Sequence, residues 1–185
     1  MSESNVKKHG GRRALGIAKR TALGGMTAGL GVVVMYLGSV FGLLDISASV
    51  FASILLVAVI SECGRRDAFL VFLVTSALSW LLLPNRSPAL MYTAFLGYYP
   101  LIKPTLDRMG RVKSWIFKLA LLNAATTAAY FVARFIFTPD ADDSALLWVW
   151  YPLLNAAFVL YDKVLAQMIR LWILKLRKIF GFGRK

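Results

Sequence analysis

Uncharged apolar stretches recur along this chain between short charged connectors, and that alternation restricts the fold more than any other feature. The run from Thr21 to Leu44 carries no charge. Similar runs cover 46–61, 68–83, 87–102 and 144–161, and 115–137 carries only Lys118 and Arg134 near its two ends. A helix that crosses a bilayer needs roughly 20 mostly apolar residues. The shorter runs must borrow connector residues, thin the bilayer locally or let flanking side chains snorkel. Hydrophobic residues make up 58% of the chain and charged residues 17%, against roughly a half and a quarter in ordinary soluble domains. Six such helices occupy most of the 185 residues and leave no room for a second, soluble domain. The expected fold is an all-α integral membrane protein with six transmembrane helices.

The cations predict its orientation. Lys and Arg number 22, and all but Arg86 and Arg134 fall in the amino tail, in the connectors after the second and fourth spans (with Lys118 at the start of the fifth), or in the carboxyl segment. Cytoplasmic loops retain the Lys/Arg excess. Both termini are therefore expected inside, in a plasma membrane. Residues 1–20 form a basic cytoplasmic tail, 21–161 the six-span membrane domain and 162–185 a basic amphipathic segment. In that last segment Lys163, Gln167, Arg170, Arg177 and Lys178 share one helical face, and Leu165, Met168, Ile169, Trp172, Ile173 and Leu176 cover much of the rest. This is the pattern of an interfacial helix, or of a span bending into the headgroup plane. It serves either to anchor the tail or to dock a cytoplasmic partner. The net charge of +13 fits an anionic lipid surface. Nothing in the sequence builds a nucleic-acid-binding face.

Three local features invite a function. In the first span Gly25 and Gly29 form a GxxxG pair, and Gly24 with Ala28 forms a second small-xxx-small pair. Residues four apart share a helix face, so another backbone can approach closely there. The visitor is either a neighbouring span of the same chain or another subunit. The segment from Gly97 to Arg108 holds Pro100 and Pro104, which disfavour a straight helix; it is a helix end with an interfacial belt or a cytoplasmic elbow. On the outer side lie Arg86 and Arg134, the latter roughly 24 Å beyond Lys118 along the fifth span. Arg134 either snorkels to the interface or faces a carboxylate or a ligand, with Asp45, Asp140, Asp142 and Asp143 as partners of the first kind. Two arginines on a cation-poor face suit an anionic ligand, because guanidinium grips carboxylate or phosphate bidentately. Trp80, Tyr92, Tyr130 and Trp148 form either an aromatic belt or the walls of a small-molecule pocket. Asn155 and Asn123 are interhelical glue or, for Asn155, a ligand contact.

The remaining chemistry is sparse. His9 is the sole histidine and Cys63 the sole cysteine. There is no phosphate-binding GxxxxGK[ST] loop and no HExxH or paired-cysteine metal motif. The sequence thus points away from an enzyme and implies no cofactor and no metal. Asp45, Glu62 and Asp67 fall at connectors, so no proton relay inside a span is expected.

Span number, size, orientation and the small-residue stretch Ala22 to Gly31 resemble the substrate-binding S components of bacterial energy-coupling-factor transporters. The wider resemblance is to small bacterial multi-pass proteins. In the transporter family separate ATPase subunits and a transmembrane coupling protein supply the energy, and a small-residue motif in the first span docks the coupling protein. The resemblance puts Gly24, Gly25, Ala28 and Gly29 in the docking role. The stretch departs from the family motif in having glycines for alanines and Met26 four residues after Ala22. The implied function is capture of a small nutrient, an anionic one if Arg134 and Arg86 attract it, with Trp80, Tyr92, Tyr130, Trp148 and Asn155 around it. The alternative is a membrane scaffold that transports nothing.

Overall fold

The computed structural model describes residues 16–42, 44–136 and 144–172. Helices α1 (Ile17–Phe41), α2 (Asp45–Glu62) and α3 (Arg65–Leu82) follow one another through short turns. The fourth segment is broken. It begins as α4 (Ser87–Met91), passes through a π turn (Tyr92–Leu96) and resumes as α5 (Tyr99–Leu106), which ends in a 3-10 turn (Asp107–Met109). Helices α6 (Arg111–Ile136) and α7 (Ser144–Leu171) complete the described chain, and no strand occurs among the described residues. Three helical stretches, Ile17–Phe41, Asp45–Glu62 and Val112–Val132, are long and apolar enough to cross a membrane.

Each of the six expected apolar segments is helical over its described residues, with two revisions. The sequence runs the fourth span from Ser87 to Ile102 and expects a departure from a straight helix only from Gly97 onward, whereas the helix is already interrupted at Tyr92 by the π turn, whose wide ring closes between the Gly97 amide and the Tyr92 carbonyl at 2.7 Å. Pro100 then sits in the first turn of α5, where its missing amide proton costs nothing. The sequence also ends the sixth span near Tyr161 and leaves open whether a separate interfacial helix or a bend of the same span follows; α7 continues through Asp162 to Leu171. Nothing at 162 breaks a helix: Asp162 and Lys163 merely add polarity to an apolar repeat. Residues 173–180 of the expected interfacial helix, and Asp140, Asp142 and Asp143, lie outside the described residues.

Packing explains the order. On α1, Gly24, Ala28, Gly31, Met35 and Gly38 are buried, at three- and four-residue spacing that keeps them on one face. Ala48, Ala52 and Leu56 answer from α2. These small residues let backbones close in: a Cβ on Gly38 would stand 2.4 Å from that of Ala48. One core joins α1, α2, α3 and α4. A second joins Val57 of α2 to Phe95 and Tyr99 of the broken segment, Leu122 and Ala125 of α6, and Phe158, Tyr161 and Leu165 of α7. The broken segment and α2 belong to both cores and hold the molecule together. Large apolar side chains also cover much of the outside. Met26, Leu30, Phe51, Leu70, Leu81, Phe131 and Phe135 all face outward, which suits a surrounding bilayer and not water.

Side-chain contacts gather the basic connectors at one end. Arg20 of α1 donates to the Cys63 carbonyl (2.8 Å) and pairs with Asp67 (2.7 Å). Arg65 reaches the Leu101 carbonyl (2.6 Å) and Thr105 Oγ1 (3.0 Å). Trp172 Nε1 donates to Glu62 (3.2 Å). At the opposite end, Asn85 donates to Asp45 at 2.8 Å.

Candidate functional site

The break in the fourth segment places unusual polarity in the interior. Tyr99, Lys103 and Asp107 stand one turn apart along one face from α5 into the 3-10 turn. Tyr99 is fully buried, and Lys103, Lys118 and Asp162 are each at most 6% exposed. The Asp162 carboxylate accepts hydrogen bonds from Tyr99 Oη and Lys103 Nζ. Lys118 Nζ lies 3.3 Å from each of its oxygens. Lys118 also meets Asp107 at 2.5 Å, and Lys103 lies 3.6 Å from that same carboxylate. Two cations and two carboxylates thus balance, and Asp107, whose side chain is 46% exposed, is the member that reaches the surface.

Aromatic rings enclose this group. Phe95 stacks on Tyr99 with centroids 5.0 Å apart, and Phe158 meets Tyr99 edge-on at 5.1 Å. Tyr161 shares a hydrogen bond with Ser53 of α2 (2.8 Å) and donates to the Leu96 carbonyl of the π turn (3.4 Å). Helical breaks leave carbonyls short of amide donors, and side chains of neighbouring helices supply them; Tyr161 does so at Leu96, and Ser49 adds a bond to the Pro88 carbonyl (2.9 Å) that the Tyr92 amide already meets. Helix rise puts Asp162 about 15 Å from the Trp172 layer along α7. A carboxylate this buried needs charged or hydrogen-bonding partners, which Lys103, Lys118 and Tyr99 supply.

The residues expected to line an outer pocket are divided between the two halves. Tyr92 is buried in the first core against Phe72, with centroids 5.8 Å apart. Trp80, half-buried, donates to Thr93 at 3.2 Å. On α6, Arg134 is exposed and donates to Tyr130 Oη at 3.2 Å. Asn155 exchanges hydrogen bonds with Asn123 at 3.1 and 3.2 Å, and Tyr151 bonds Thr127 at 2.8 Å, a polar ladder between α6 and α7. Arg86 is exposed at the start of α4. Only the backbone of Trp148 is described. The structure therefore brings together Trp80 with the Tyr92 turn, and Tyr130 with Arg134, and joins neither pair to Asn155.

The small-residue stretch also divides. Gly24 and Ala28 turn inward, where a Cβ on Gly24 would stand 3.1 Å from Val71 of α3. Gly25 and Gly29 are exposed, with nothing within 4 Å of a Cβ on either. One pair is thus internal packing and the other an open face.

The interior cluster was missed in the sequence because its members are dispersed. Lys103 and Lys118 read as inner-leaflet cations and Asp162 as the start of a tail. The one legible signal was an aspartate inside an unbroken helical repeat, Phe158-Val-Leu-Tyr-Asp-Lys-Val-Leu165. Comparison with protein-family models, curated proteins and solved structures finds no match.

Proposed function

We propose that this chain is a six-span plasma-membrane subunit, both termini inside, that captures a small solute and relies on separate subunits for energy. The observation that carries the reading is the broken central helix. It delivers Tyr99 and Lys103 to Asp162 within an aromatic enclosure. Discontinuous helices with ionisable side chains near their breaks are where membrane transporters bind and pass solutes. The two arginines of the opposite end, Arg86 and Arg134, draw an anionic solute toward the bundle, and Trp80, Tyr92, Tyr130, Trp148 and Asn155 supply the apolar and amide surface along its way. The open Gly25/Gly29 face of α1 supports docking of a transmembrane coupling protein that brings its ATPases. The chain itself has no phosphate-binding loop with which to use ATP.

Affinity purification from native membranes in a gentle detergent, read for both proteins and small molecules, tests this. The expected result is a copurifying ATPase-containing complex and a retained solute. Recovery of neither overturns the reading. Substituting Gly29→Leu is expected to release the coupling protein with the fold intact, and unchanged copurification counts against the docking face.

A second reading, a scaffold that transports nothing, is favoured by one observation: every charge in the interior cluster already has a partner within the chain. A scaffold would bring down envelope proteins and no solute.

A further inference from the structure

Between α1 and α3 lies a groove of about 420 Å³ that opens to the outside. Gly24, Gly25 and Ala28 form one wall and Leu70, Val71 and Val74 the other, with Arg20 and Asp67 at one end. The missing glycine side chains make the hollow. Gly25 borders both this groove and the open Gly25/Gly29 face, whereas Gly29 is not part of the groove's lining.

We propose that this groove holds one anionic phospholipid, an acyl chain between α1 and α3 and the phosphate at Arg20. Three features select that occupant. Away from Arg20, Thr21 and Asp67 the lining is apolar and offers no polar groups to hold water, and a flexible acyl chain fills that part and recovers the dispersion contacts that a void forfeits. The polar end coincides with the basic end of the bundle, where Lys19, Arg20, Arg65 and Arg66 outnumber Glu62 and Asp67. Arg20 uses Nη2 for both the Cys63 carbonyl and Asp67. Among the described residues its other N–H donors bond no acceptor, which leaves them for a phosphate, bound by guanidinium in fork geometry. Basic pockets between spans on the cytoplasmic side are where phospholipid headgroups are recognised.

The test is native mass spectrometry of the full chain taken from vesicles of equal parts phosphatidylglycerol and phosphatidylcholine, with the unfolding temperature of each variant in detergent read alongside. The expected result is one retained phosphatidylglycerol per chain. Arg20→Gln and Gly25→Leu should each weaken retention by about tenfold, the loss of one charge-assisted contact or of the acyl slot. Arg20→Lys should recover most of it, and Gly29→Leu should leave it unchanged. Equal retention of phosphatidylcholine overturns the proposal, as does retention that ignores both Arg20→Gln and Gly25→Leu. Equal loss in Gly29→Leu also overturns it and marks a protein-docking face instead. The groove requires only that the chain lie in a bilayer, so the result is independent of whether it captures a solute.

Discussion

Two lysines and a tyrosine converge on the one carboxylate of Asp162, which sets a sharp condition on any change there. Removing one member of a buried ion group leaves its partners charged and unpaired, at a cost of about 3–5 kcal/mol, whereas replacing a matched pair with apolar side chains of similar volume is near neutral. Asp162→Asn should therefore lower stability by that amount in thermal unfolding of the detergent-solubilised protein. The double variant Lys103→Met with Asp162→Leu should regain most of it, because Lys118 keeps Asp107. Full stability in Asp162→Asn would mean that the carboxylate is not what balances the lysines. Solute retention separates the two functional readings: a stable double variant that no longer holds solute places the site at the cluster, and one whose partners are unchanged with no solute in either form indicates a scaffold.

At the scale of elements, glycine decides how closely helices approach. A methyl group at Gly38 meets Ala48 of α2 at 2.4 Å, so Gly38→Ala must push α1 and α2 apart. Overpacking of this kind costs typically about 1–3 kcal/mol. Gly29→Ala meets nothing and gains helix propensity, and it should leave stability unchanged or slightly higher. Paired unfolding measurements on the two variants check this, and equal effects would contradict the close α1–α2 contact. The broken segment follows the same logic. Gly97 lies where a Cβ would stand 2.6 Å from the Phe72 ring, so the chain turns from the π ring into α5 directly against α3.

At the scale of the molecule, orientation is the claim on which the solute reading depends. Introduced cysteines test it, because the one native thiol is quiet. Burial, and next the Asp67 charge, push the Cys63 thiol above its ordinary range. Thiolate is the reactive form, so labelling of the native chain at neutral pH should be slow, rise with pH and become fast only in denaturant. Against that background, a cysteine at Asp142 should react with a membrane-impermeant maleimide on intact cells, and one at Lys185 only after permeabilisation. The reverse pattern would invert the topology and remove the outer route past Arg86 and Arg134.

Helix type and segment order were legible from residue pattern alone, because apolar runs long enough to approach bilayer thickness have few other solutions. So was the clustering of basic connectors, which charge placement along the chain already implies. The inward role of Gly24 and Ala28 and the outward role of Gly25 and Gly29 were not legible. All four are small, and only the position of α3 decides which pair is covered. The interior ion group was hidden for a related reason. Tyr99, Lys103 and Asp107 lie along one segment, but Lys118 and Asp162 come from α6 and α7, and a carboxylate looks like a boundary until its cations are seen beside it. Periodicity and charge act locally along a chain and can be read from it; the pairing of distant side chains depends on how the helices rotate against one another, which packing alone settles.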